Sequence, residues 1–228
     1  DTWVRENIQS HSPFGKCYPD KEWVFEGDSP SFLYVYANGL NVPEEPTFGG
    51  WGGRFSTYKA KNVRGMDFIT RSGNNESQYD PYCMYVSAAE GGEAIKRWQQ
   101  EIWNDFAARM AWTTTSEYSA VNHHPTAIVD GHDDMNCIYK KVKAGRDMEF
   151  DASASYDPDG NPLDFRWEIY AEPSTYKGKV NMENGDSPKC RIHIPAEASG
   201  KSLHVILSLT DRGTPALTAY KRIVVQVL

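Results

Sequence analysis

The feature that most constrains the fold is a series of short segments, from about Pro125 onward, in which apolar residues take every second position. Met148, Phe150 and Ala152 form one set, Phe165, Trp167 and Ile169 a second, and Ile192 and Ile194 a third. Leu203, Val205, Leu207 and Leu209 follow, then Ile223, Val225 and Val227. Arg166, Glu168, His193, His204 and Gln226 fall on the alternate positions, a period of two that predicts half-buried strands with those polar residues on the outer face. DPDGNP, ENGDSP and DRGTP separate the segments with turn chemistry. Many short strands divided this way predict antiparallel sheets packed face to face, with Trp167 as the large aromatic of the shared core.

Residues 122–228 are therefore expected to form an all-β immunoglobulin-like sandwich of about 100 residues. Lys140, Lys141 and Lys143 read as a solvated strand edge. Asp157, Asp159, Asn161 and Asp164 alternate oxygen donors as a calcium loop does. They lack the remote bidentate glutamate of an EF-hand, so a solvent-facing turn is the expectation. The acidic run from Asp130 to Asp134 reads as a polar loop.

Residues 1–121 have a different character. Ile95, Trp98, Ile102, Phe106 and Met110 recur at three- and four-residue steps, with Glu93, Arg97, Glu101, Asp105 and Arg109 on another face. That spacing predicts one amphipathic helix from Glu93 to Trp112, with Trp98 and Trp103 as packing residues. Ser31 to Tyr36 reads as a strand, and the rest as long loops rich in Gly, Pro, Asn and Tyr. One helix and one or two strands bury too little for so long a segment, so this part is expected to need a further layer. That layer would come from more of the same protein or from a second chain.

The 228 residues carry a formal charge of -7, which opposes a phosphate backbone, and no Lys/Arg cluster offsets it locally. Nucleic acid is not an expected partner. No apolar run approaches the roughly 18 residues needed to span a bilayer. Cys17, Cys83, Cys137 and Cys190 show no C-x-x-C spacing, and the even count suits two disulfides, Cys17 with Cys83 and Cys137 with Cys190. Each such loop would contribute roughly 4 kcal/mol through the unfolded chain, and oxidising conditions outside the cytoplasm are implied. Asn75-Glu76-Ser77 is a glycosylation sequon.

Two stretches could carry chemistry. In EGDSPSFLY, Glu26 and Asp28 leave a short turn ahead of an apolar segment, where a carboxylate suits a hard cation such as calcium. Equally, Asp28 can accept backbone amides of the turn that follows. In GGWGGRF, glycines flank Trp51 and Arg54 follows. The loop either offers ring and guanidinium to a hydroxyl-rich ligand or passes tightly over a neighbour with Trp51 in the core.

Taken together, YPDKEWVFEGDSPSFLYVYANGLNVPEEPTFGGWGGRF, DFAARMAW, NHHPTA and DASASYDPDGNPLDFRWEIY resemble the C-terminal half of secreted cellulose-binding proteins with a nucleoside-hydrolase-like domain. The resemblance implies an incomplete α/β nucleoside-hydrolase-like part over residues 1–121, followed by the immunoglobulin-like module. It likens Asp28 to the late calcium-ligating aspartate of nucleoside hydrolases, although Gly27 stands where those enzymes carry histidine. His11 lies where the cellulose-binding relatives tend to have histidine. The implied function is a secreted or periplasmic carbohydrate-binding or carbohydrate-active protein with a polysaccharide or glycoside ligand. Glu26, Trp51, Arg54 and His11 are its candidate contacts and Asp28 its candidate calcium ligand. A calcium-dependent hydrolase of glycosidic or N-glycosidic bonds and a structural or adhesive surface module are the alternatives. This chain alone is expected to be inactive.

Overall fold

In a computed structural model, residues 2–20, 29–59 and 83–228 are described. The first part is mixed helix and sheet. Helix α1 (Thr2–Val4) runs on as a π-helical turn over Arg5–Gln9, and α2 spans Ser12–Lys16. Helix α3 spans Ser29–Val35, and strands β1 (Phe55–Lys59) and β2 (Cys83–Ser87) pair antiparallel. Two further helices, α4 (Glu93–Lys96) and α5 (Gln99–Trp112), follow among the described residues.

Two expectations are corrected here. Ser31–Tyr36 is not a strand, because residues 31–35 lie in α3 and Tyr36 is the bend that follows it. The Ser-Pro pair at its start suits a helix opening, where the missing proline N–H costs nothing. The helix expected from Glu93 to Trp112 is two, interrupted at Trp98, whose φ of -109° and ψ of 7° depart from helical values. The break seats the Trp98 ring in the interior, at 3% exposure.

The second part is β-rich: β3 (Ile138–Val142), β4 (Asp147–Asp151), β5 (Leu163–Ile169), β6 (Asn181–Glu183), β7 (Lys189–His193), β8 (Ser202–Asp211) and β9 (Thr218–Val227). One sheet has the order β3-β9-β8-β5, with β3 parallel to β9, and the other the order β4-β7-β6. Phe150, Trp167, Ile192, Leu203, Val205, Leu207, Ile223 and Val225 meet between the sheets, as their alternation predicts, and Phe150 stacks on Trp167.

The expected outer face of the four-stranded sheet is exposed at Arg166 and Gln226 but covered along the middle of β8 and the start of β9. His204, Ile206, Tyr220 and Arg222 are all buried, and Ile206 and Tyr220 share a second cluster with Leu40, Trp51, Trp98 and Tyr170. His204 is thus a core residue rather than a solvated one. Where β3 stops short of the first residues of β9, the first part takes its place. Tyr220 N donates to Asn38 O at 3.1 Å and Arg222 N to Gly39 O at 3.0 Å. Gly39 has φ +83°, and a Cβ there would stand 2.0 Å from Tyr220 O, so only glycine lets the backbones close.

The expected Cys137–Cys190 disulfide is not formed. Cys190 lies in the core between the sheets, whereas Cys137 precedes β3; burial raises the Cys137 thiol pKa, and Arg222, which is on the far face of the four-stranded sheet, opposes that rise. Cys17 is an exposed free thiol, and the side chain of its expected partner Cys83 lies outside the described residues, as does the sequon at Asn75.

Candidate functional site

The loop carrying Trp51 resolves the question that its glycines pose. Asn41 donates through Nδ2 to Leu33 O (2.8 Å) and Tyr36 O (2.7 Å), satisfying carbonyls at the end of α3, and its Oδ1 accepts from Trp51 N at 3.0 Å. Gly50 and Gly53 exchange backbone hydrogen bonds across the turn, and a Cβ on Gly50 would fall 2.0 Å from Asn41 Oδ1. The indole is thereby driven inward. It is 1% exposed, stacks on Tyr36 and donates through Nε1 to the Tyr220 hydroxyl at 3.2 Å. Trp51 has no free ring face, so it does not act as an exposed stacking platform.

Arg54 is engaged as well, with Nε and Nη2 each 2.7 Å from a Glu90 carboxylate oxygen. That bidentate bond raises the guanidinium's pKa and lowers that of the Glu90 carboxyl. His11 lies elsewhere, immediately before α2, whose Ser12 Oγ accepts from Oγ1 of Thr113, the residue after α5, at 2.9 Å. Glu26 and Asp28 lie outside the described residues. Among the described residues no group of three or more His, Cys, Asp or Glu side chains is placed to hold a metal ion.

Sequence reasoning passed over the richest constellation, which lies between α3 and α5. Phe32, Leu33, Tyr36, Ile102, Trp103 and Phe106 wall a groove of about 280 Å³, with Asp105 and Arg109 at its edge. Asp105 is 7% exposed and accepts from Arg109 Nε at 2.8 Å; His124 Nε2 lies 3.0 Å from its other oxygen. Burial alone would raise the Asp105 carboxyl, but hydrogen bonds from His124 and Arg109 outweigh it and hold the pKa below the usual range. Arg109 also donates to the Tyr36 hydroxyl and lies over the Tyr36 and Trp112 rings. The result is a fixed carboxylate and a partly exposed guanidinium beside aromatic walls. Such a set can hydrogen-bond hydroxyl groups while the rings cover an apolar face. The signals were the four-residue Asp105–Arg109 spacing and the two histidines of NHHP, which read as a solvated face and a linker.

NHHP is a staple. Asn122 Nδ2 donates to both Asp211 carboxylate oxygens at 3.0 Å and to Pro215 O at 2.8 Å, His123 stacks between Trp112 and Tyr118, and His124 meets Asp105.

A mixed α and β part, joined through buried contacts to a two-sheet β part and bearing an aromatic-walled groove, defines the class of protein. Residues 1–55 match the nucleoside-hydrolase-like domain of cellulose-binding Sde182, and residues 147–227 match the C-terminal domain of cellulose-binding protein Sde0182. The chain therefore carries both domain signatures of that family. All of it aligns, at 42% identity and a TM-score of 0.86, with a nucleoside hydrolase-related hypothetical protein from Saccharophagus degradans that is associated with carbohydrate metabolism. The chain spans 54% of that protein. A PKD domain from the KIAA 1837 protein aligns at 16% identity and a TM-score of 0.32, covering 44% of this chain and 85% of that one. No curated protein matches.

Proposed function

We propose that this chain is part of an extracytoplasmic polysaccharide-binding protein whose ligand is a glucan of the cellulose type. The observation that carries the reading is that its two ends match the two domain models of cellulose-binding proteins, residues 1–55 and 147–227. The Saccharophagus degradans relative, associated with carbohydrate metabolism, supports it over the full chain. In this reading residues 122–228 are an immunoglobulin-like sandwich. Residues 1–121 contribute to a nucleoside-hydrolase-like domain, which polypeptide beyond the 228 residues completes.

The groove between α3 and α5 suits a sugar better than a charged ligand. Its walls are aromatic and apolar, and its carboxylate and guanidinium already neutralise one another. Sedimentation with insoluble cellulose tests the reading. The purified chain is expected to be depleted from the supernatant and displaced by soluble cello-oligosaccharide. Recovery in the supernatant equal to that with an inert resin overturns it.

A further inference from the structure

An exposed aromatic side chain is ordinarily mobile, and holding it still costs rotamer entropy. Tyr118 departs from that pattern. It is 58% exposed, yet its ring lies flat on His123, with centroids 3.6 Å apart and planes 2° apart. His123 is backed in turn by Trp112, at 5.7 Å and 11°. The two rings behind Tyr118 are pinned by hydrogen bonds. Asp159 accepts from His123 N at 2.7 Å and lies 3.1 Å from its Nδ1, while Trp112 Nε1 donates to Asn122 O at 2.8 Å.

The platform borders an open polar groove of about 610 Å³ whose floor and sides include Asn122, Pro158, Asp159, Asn161 and Arg212. Asn122, Asp159, Asn161 and Arg212 are already oriented there. Asn161 Nδ2 donates to Asn122 Oδ1 at 2.9 Å, and Arg212 is held by Asp164 through Nη2 at 2.7 Å. A fixed aromatic face beside oriented hydrogen-bonding groups gives contact area at low entropic cost. The ligand that fits is neutral and hydroxylated, with one apolar face. Asp159 and the chain's net charge of -7 disfavour a phosphate or an acidic sugar.

We propose that Tyr118, held by His123 and Trp112, is a second saccharide-binding platform, taking a neutral glucan segment along the groove toward Asn161 and Arg212. The proposal rests on the polysaccharide reading above, but it assigns binding to a surface on the seam between the two parts, lined by other residues than the groove of α3 and α5.

The test titrates the whole 228-residue chain with cellohexaose and insoluble cellulose, alongside Tyr118→Ala, Tyr118→Phe and, as a distant control, the exposed Tyr139→Ala. Tyr118→Ala is expected to weaken binding by on the order of tenfold, the size of a single anchoring ring, whereas Tyr118→Phe and Tyr139→Ala stay near wild type. A second measurement follows the ring resonances of Tyr118 in tyrosine-labelled wild-type protein, which are expected to move with cellohexaose and not with glucose 6-phosphate. If wild type binds while Tyr118→Ala binds equally well, or the Tyr118 resonances stay still, the platform is overturned and the polysaccharide reading stands. If wild type binds no glucan, both fall.

Discussion

Nη2 of Arg222 lies 2.7 Å from the carbonyl oxygen of Gly49, so a fully buried arginine on β9 grips the loop that positions Trp51. Its Nε donates to Leu40 O at 2.7 Å and its Nη1 to Phe48 O at 3.2 Å and His204 Nδ1 at 3.0 Å. Burial lowers the guanidinium pKa to about 10, and it stays charged at neutral pH. Arg222→Met fills similar space but strips three carbonyls of their donor. The loss should reach at least about 3 kcal/mol, read as a lower urea midpoint.

Gly39→Ala should cost upward of about 2 kcal/mol, because it adds a positive-φ penalty to a collision with the Tyr220 backbone. Gly131→Ala is the control. Its φ of +82° is similar but nothing lies within 4 Å of the added methyl, so only the conformational cost of about 1 kcal/mol should appear. Equal losses in thermal melts of the two variants would refute the close approach of Gly39 to β9.

His204 gives the fold an acid-sensitive point. Burial, then the charge of Arg222, lowers its pKa to about 3 from an ordinary 6.5. Between those values the unfolded chain binds the proton and the folded chain does not. Stability is therefore full above about pH 6.5 and declines as pH falls toward 3, by roughly 2–4 kcal/mol over the window. His204→Gln keeps an acceptor for Arg222 without the titration. Its denaturant midpoint should be flatter across that window than the wild type's.

Asp105→Asn should cost about 1–3 kcal/mol at neutral pH, since Arg109 and His124 lose a charged acceptor. Because the Asp105 pKa is held below its usual 3.8, its contribution is present above that value and lost as pH drops further. The variant should lack that acid limb in a chemical-denaturation series.

Thiol chemistry checks the cysteines. Cys17 should alkylate in the native protein, and Cys190 only on unfolding, since burial pushes its thiol up to about 11. Peptide mapping without reductant should recover no Cys137–Cys190 linkage.

The inner faces of β4, β5, β7, β8 and β9 were legible because alternation reports one buried face directly. The other face of β8 and β9 was not. His204, Tyr220 and Arg222 are polar or amphipathic, and only a covering element distant in sequence puts them in the interior. Ser29–Val35 failed for a local reason: seven residues hold too few turns for a helical period to separate from alternation. Of the candidate site, the Asp105–Arg109 pair was visible as a spacing. The partner that gives it meaning, His124, is nineteen positions further along and meets it only once Asn122 is anchored on Asp211.

The pairing of Asn38 and Gly39 with the start of β9 has a consequence for solubility. A chain cut to begin at Asn122 would bare the amides of Tyr220 and Arg222 along with the apolar side chains beside them. An uncovered strand border of that kind is a template for self-association, so the shortened protein would be drawn into oligomers by the same hydrogen bonds that now close it.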